Sequence, residues 1–151
     1  MSRHLILSLM AALLFLSAPT KLYAAQDPIY TGYFSTVAID GYDPVAYFKQ
    51  RKAVEGSSKI TLEWMGAQWQ FSSQENLNDF KNDPEAFAPQ YGGYCSWAVA
   101  HGDTASTDPN SWQIIDDKLY LNYSPDIHRR WQRKTTEYIN SGDKNWPAVL
   151  D

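Results

Sequence analysis

Thiol chemistry is the scarcest resource in this chain: among its 151 residues only Cys95 carries one, which excludes an internal disulfide. Positive charge is also in short supply. Lys and Arg number 13 against 17 Asp and Glu, and that balance argues against nucleic acid as a partner. Long apolar runs are missing apart from residues 5–16. Nothing resembles a Ser-His-Asp set, a phosphate loop or a usefully spaced pair of carboxylates, which ranks the hydrolase and nucleotide-binding classes low.

The single apolar run follows Arg3, is interrupted only by Ser8, and is closed by Ala24 and Ala25. That is the pattern of a secretory leader, residues 1–25, too short to anchor in a bilayer. The leader has no cysteine for lipid attachment and no Arg-Arg pair. The expectation is a periplasmic or secreted protein, not membrane-anchored once the leader is cleaved. Loss of Arg3 and Lys21 leaves 11 basic against 17 acidic residues, a balance of −6, in a unit of residues 26–151. Such a length suffices for one core. Of the 22 aromatic residues only Phe15 and Tyr23 leave with the leader, so rings can supply the core that disulfides would otherwise support.

The pattern downstream is α+β: two antiparallel hairpins, each followed by a Ser-capped helix, in a domain with its core at about 34–141. Asp40-Gly41-Tyr42-Asp43-Pro44 reads as a turn entering a short helix, with Asp43 as cap and Pro44 at the first helical position. Ile60-Thr61-Leu62-Glu63-Trp64 and Gln68-Trp69-Gln70-Phe71 alternate as strands around Met65-Gly66-Ala67. Ser72 with Glu75 predicts a capping box, and Asp83-Pro84 starts another helical turn. The paired glycines 92 and 93 precede Cys95 and a short helix over 96–100 that Gly102 stops. A polar loop is expected over 103–111. Trp112-Gln113-Ile114-Ile115 and Leu119-Tyr120-Leu121-Asn122-Tyr123 form the second hairpin, and Ser124 opens one long helix ending at Gly142. Phe71-Ser72 in the first copy corresponds to Tyr123-Ser124 in the second.

Asp43-Pro44-Val45, the stretch from Trp64 through Gln68-Trp69-Gln70-Phe71-Ser72-Ser73, Phe80, Asp83-Pro84-Glu85, Tyr91-Gly92-Gly93-Tyr94-Cys95 and Leu119-Tyr120-Leu121-Asn122-Tyr123 together resemble the YHS domain family, in a longer exported bacterial branch. The resemblance implies a treble-clef-like fold of metal-handling proteins found beside copper-transporting ATPases. It also implies thiols where this chain has Ala46, Ser72 and Asn76, so the inherited cysteine positions are lost. In some members of that branch the position matching Cys95 is expected to be selenocysteine, which implies a reactive chalcogen there.

Cys95 therefore heads the candidates, as soft-metal ligand or as redox nucleophile. Placed just before a helix, its thiol is expected to be shifted toward the thiolate; the alternative is a small buried hydrophobe. His101 joins it as second metal ligand only if the short helix ends before it; otherwise its cation serves the helix dipole. Met65 and His128 are secondary ligands, more simply a turn residue and part of a solvated face. Tyr91, Gly92, Gly93 and Tyr94 are candidate pocket walls around the thiol. Arg129, Arg130, Arg133 and Lys134 read as a solvated basic face, and Trp64 and Trp69 as hairpin packing.

Three functions follow. The first is a binding module using Cys95 with His101 for Cu(I) or another soft transition metal, served by a metal-transport protein. The second is a thiol oxidoreductase with Cys95 as peroxidatic-type nucleophile, reduced by an external thiol-reducing partner. The third is a ligand-binding domain with an inert Cys95.

Overall fold

In the computed structural model, which describes residues 25–151, the helix-and-hairpin unit is written twice. The predicted leader lies outside the described residues, apart from Ala25. The first copy comprises α1 (Pro44–Lys49), β1 (Ser57–Trp64), β2 (Ala67–Phe71), α2 (Gln74–Asn82) and the short α3 (Pro84–Phe87); the second comprises α4 (Ser96–Ala100), β3 (Asp108–Ile115), β4 (Lys118–Asn122), α5 (Pro125–Gln132) and α6 (Thr135–Asn145). Each hairpin is its own two-stranded antiparallel sheet, with Trp64 opposite Ala67 in one and Ile115 opposite Lys118 in the other. The α+β expectation holds.

Local chemistry accounts for the repeat. Ala67, Trp69 and Phe71 alternate inward along β2, and each of the two large rings stabilises the fold by roughly 1.5–3 kcal/mol through its burial. Both hairpin turns need positive φ at their two central residues, as a tight two-residue connection does: Met65 and Gly66 at φ 50° and 77°, Asp116 and Asp117 at 49° and 58°. Each unit is entered through the same kinked turn. Ile39, Asp40 and Gly41 take φ of 51°, 49° and 85°, and Tyr91, Gly92 and Gly93 take 55°, 60° and 85°. In both turns a tyrosine amide closes back, Tyr42 onto the Ile39 carbonyl and Tyr94 onto that of Tyr91.

Four expectations need correction. Ser73, not Ser72, caps α2 by accepting from the Asn76 amide, and Glu75 pairs with Lys49 instead of closing a box. The structural match to Ser124, which caps α5, is therefore Ser73. The polar loop is shorter than predicted because β3 begins at Asp108. The long last helix is two helices: α5 closes with Arg133 and Lys134 amides on the Arg130 and Trp131 carbonyls, which buries Trp131 and turns α6 onto α4. Gly142 lies inside α6 and stops nothing; a Cβ there would meet the Tyr91 hydroxyl at 2.7 Å.

Two clusters form the interior. One gathers Val45, Tyr47, Trp69, Phe71 and Phe80 with Leu119 and Leu121 of β4; the other gathers Tyr91, Tyr94, Val99, Tyr120, Trp131 and Leu150. The packed unit is thus wider than the predicted core, reaching from Ile29 to Leu150, both buried. No helix among the described residues is long and apolar enough to cross a membrane.

Candidate functional site

Helix starts are short of hydrogen-bond acceptors, and the two copies place different atoms there. In the first copy the Asp43 carboxylate sits before α1. Its Oδ1 accepts from the Val45 and Ala46 amides at 2.9 and 3.3 Å. Its Oδ2 accepts from the Ser72 amide at 2.8 Å, the Ser72 hydroxyl at 2.6 Å and the Asn76 side-chain amide at 2.7 Å. Asp43 is fully buried.

In the second copy the place before α4 is taken by Cys95. Its Sγ accepts from the Tyr123 amide at 3.3 Å; the nearby Ala98 and Trp97 amides favour its thiolate, but α4 gives it no capping hydrogen bond. The residue after the hairpin's second strand donates to Asp43 in one copy and to the sulfur in the other, whereas the first turn of the short helix hydrogen-bonds Asp43 alone. Burial raises the thiol above its ordinary pKa, and the three amides, which favour the thiolate, offset only part of that. The expected shift toward thiolate is therefore corrected in direction. The Cys95 side chain is 1% exposed; desolvating a thiolate so completely outweighs the amide donors.

Asn122, also fully buried, ties the thiol to an imidazole. Its Oδ1 accepts the Trp97 amide at 3.2 Å and faces Sγ at 3.8 Å, so the thiol proton is directed at it. With that oxygen occupied, Nδ2 donates to His128 Nδ1 at 3.2 Å, which leaves the His128 proton on Nε2. Burial lowers the His128 pKa from its ordinary value.

The expected partner, His101, is turned elsewhere. Its Nδ1 lies 2.6 Å from the Trp97 carbonyl, and its ring lies on the Trp97 indole, centroids 4.0 Å apart, beside Tyr138. The predicted pocket walls are also separated from the thiol. Tyr91 and Gly92 line an open groove of about 700 Å3 beside Trp146, with the Tyr91 hydroxyl donating to Asp143 at 2.8 Å. Tyr94 lines a different hollow of about 380 Å3, its hydroxyl donating to the Asp27 carbonyl, and the Gly93 carbonyl accepts from Thr107. Met65, half exposed at the hairpin tip, is a turn residue bordering the Tyr91 groove. Trp64 and Trp69 stack with Phe80 as packing.

Sequence reading missed Asn122 altogether and ranked His128 low. The one signal available was a polar Asn at an inward strand position among Leu119, Tyr120 and Leu121.

The YHS domain family model matches residues 45–91. Cys95, the second hairpin and the last two helices fall outside those residues. Neither a curated relative nor a solved structure matches the chain.

Ala46, Ser72 and Asn76, where the resemblance implies thiols, do not form a soft-metal site. Ser72 and Asn76 both donate to Asp43, Ala46 offers it only a backbone amide, and the carboxylate has both oxygens engaged by protein donors. Among the described residues no group of three or more His, Cys, Asp or Glu converges.

Proposed function

We propose, from the match of residues 45–91 to the YHS domain model, an exported binding module whose working atom is the Cys95 sulfur, taking up Cu(I) as cargo. The observation supporting this reading is the correspondence of the two helix starts. The place before the short helix that holds a carboxylate in the first copy holds a sulfur in the second, where the Tyr123 amide donates to it as the Ser72 amide does to Asp43. A thiol protonated by burial is a poor nucleophile near neutral pH, but a soft cation displaces that proton and cancels the thiolate charge within the buried site. His128 meets the thiol only through Asn122, its Nδ1 accepting from the Asn122 amide, so the sulfur is the one protein ligand this reading relies on. The basic start and apolar run of residues 1–25 support export, and a metal-transport protein is the partner such a module needs.

A second reading, thiol redox chemistry, is favoured by the same Asn122–His128 chain, which places a hydrogen-bonded imidazole behind the sulfur. There the thiolate attacks a hydroperoxide, the S–O bond forms as O–O breaks, water or alcohol leaves with a proton, and an external thiol reduces the sulfenic acid.

Anaerobic Cu(I) competition titration separates the two. Cys95→Ser is expected to weaken binding by at least about tenfold, the scale of one lost ligand contact, with His101→Ala unchanged. Equal affinity in wild type and Cys95→Ser would remove copper from the site. Stoichiometric sulfenate trapping after peroxide would then assign the protein to redox chemistry.

A further inference from the structure

The basic cluster of the last helices is not spread evenly over a solvated face. Arg130, Arg133 and Lys134, at the junction of α5 and α6, border a groove of about 480 Å3 whose remaining walls are Trp97 and Tyr138. We propose that this groove binds a small aromatic oxyanion, a ring carrying a carboxylate or phosphate group. The inference is independent of Cys95 chemistry.

Charge is the first argument. No acidic residue lines the groove, although acids outnumber bases in the chain. Among the described residues Arg129 is paired with Asp126 and Lys134 with Glu137, whereas Arg130 and Arg133 have no ion-pair partner. The dipole of α5 explains cations in its last turn, Arg129 and Arg130. It does not explain Lys134, which occupies the cap position of α6, where a cation faces the positive end of an eleven-residue helix. That helix start has no side-chain cap. Glu137 in the first turn of α6 answers Lys134 alone, which leaves Arg130 and Arg133 beside this uncapped helix start as the charges an anion would pair.

Ring surface is the second argument. Trp97 and Tyr138 are half buried and line the groove, and the His101 ring, which does not line it, packs against both with centroids 4.0 and 5.5 Å away. Guanidinium forks suit the two oxygens of a carboxylate or phosphate, and aromatic walls suit a planar body. The groove volume falls within the roughly 300–1,000 Å3 of small-ligand sites.

The test is calorimetric titration of the full chain with phenyl phosphate and benzoate, with inorganic phosphate and phenol as the two half-ligands. At least one ring-bearing anion is expected to bind about tenfold more tightly than either half, and Arg130→Gln/Arg133→Gln is expected to weaken it about tenfold, the effect of one charge-assisted contact. The preferred probe identifies the oxyanion. Both substituted side chains are exposed, so an unchanged melting curve verifies the fold of the variant. Equal, weak binding of all four probes, or full affinity in the double variant, would overturn the proposal and leave a solvated basic face.

Discussion

The environment of Cys95 sets opposite signs for its own titration and for that of His128. Burial makes the folded chain hold the thiol proton to higher pH than the unfolded chain does. Stability is therefore flat below the ordinary thiol value, about 8.5, and falls as pH rises through it. His128 is lowered by burial, so the unfolded chain binds a proton that the folded chain refuses. Stability then falls as pH drops through the ordinary imidazole value, about 6.5. Urea midpoints measured from pH 5 to 9.5 are expected to lose the alkaline slope near pH 9 in Cys95→Ser and the acid slope in His128→Gln. An acid limb as steep in His128→Gln as in wild type would assign it to other groups. Cys95 could be singled out from composition alone. His128 could not, because nothing within a few residues of it announces that a strand residue, Asn122, reaches its ring.

The start of α1 carries a second expectation, this one about an element and what fixes it. Asp43 reads from sequence as a helix cap, and it is one, but the structure adds Ser72 and Asn76 from beyond the hairpin. Removing a cap alone costs about 1 kcal/mol. Removing Asp43 also strands the Ser72 amide and hydroxyl and the buried Asn76 amide, so Asp43→Ala is expected to lose about 3 kcal/mol or more in chemical denaturation. A loss near 1 kcal/mol would reduce Asp43 to a local cap. Strand alternation, turn residues and caps were legible because each is a relation between neighbours in sequence. The break between α5 and α6 was not, since residues 124–141 contain no glycine or proline at the break; the burial of Trp131 and the packing of α6 on α4 impose it. Asn145 then serves the open carbonyls of Val99 and Ala100 at the end of α4.

Across the molecule the two copies are joined by shared packing rather than by a common sheet. Leu119 and Leu121 of the second hairpin enter the first cluster, and Tyr47 donates to the Pro109 carbonyl at 2.8 Å while its ring meets Trp112 edge-on. Within the second copy, α6 approaches the Tyr91 turn closely enough that Gly142 has no room for a side chain. Gly142→Ala gains helix propensity of about 1 kcal/mol but drives a methyl into the Tyr91 ring and its bond to Asp143, an overpacking of about 1–3 kcal/mol. A net fall in melting temperature is expected; a rise would mean that α6 shifts freely. Residue order alone settled the fold class, both hairpins and the cap at Asp43, and singled out a lone thiol, because periodicity and capping act over a few residues. Which imidazole is linked to the thiol through Asn122, and which arginines face the Trp97 groove, was settled by packing. Those neighbours lie on separate elements, and only the burial of both clusters fixes the distance between them.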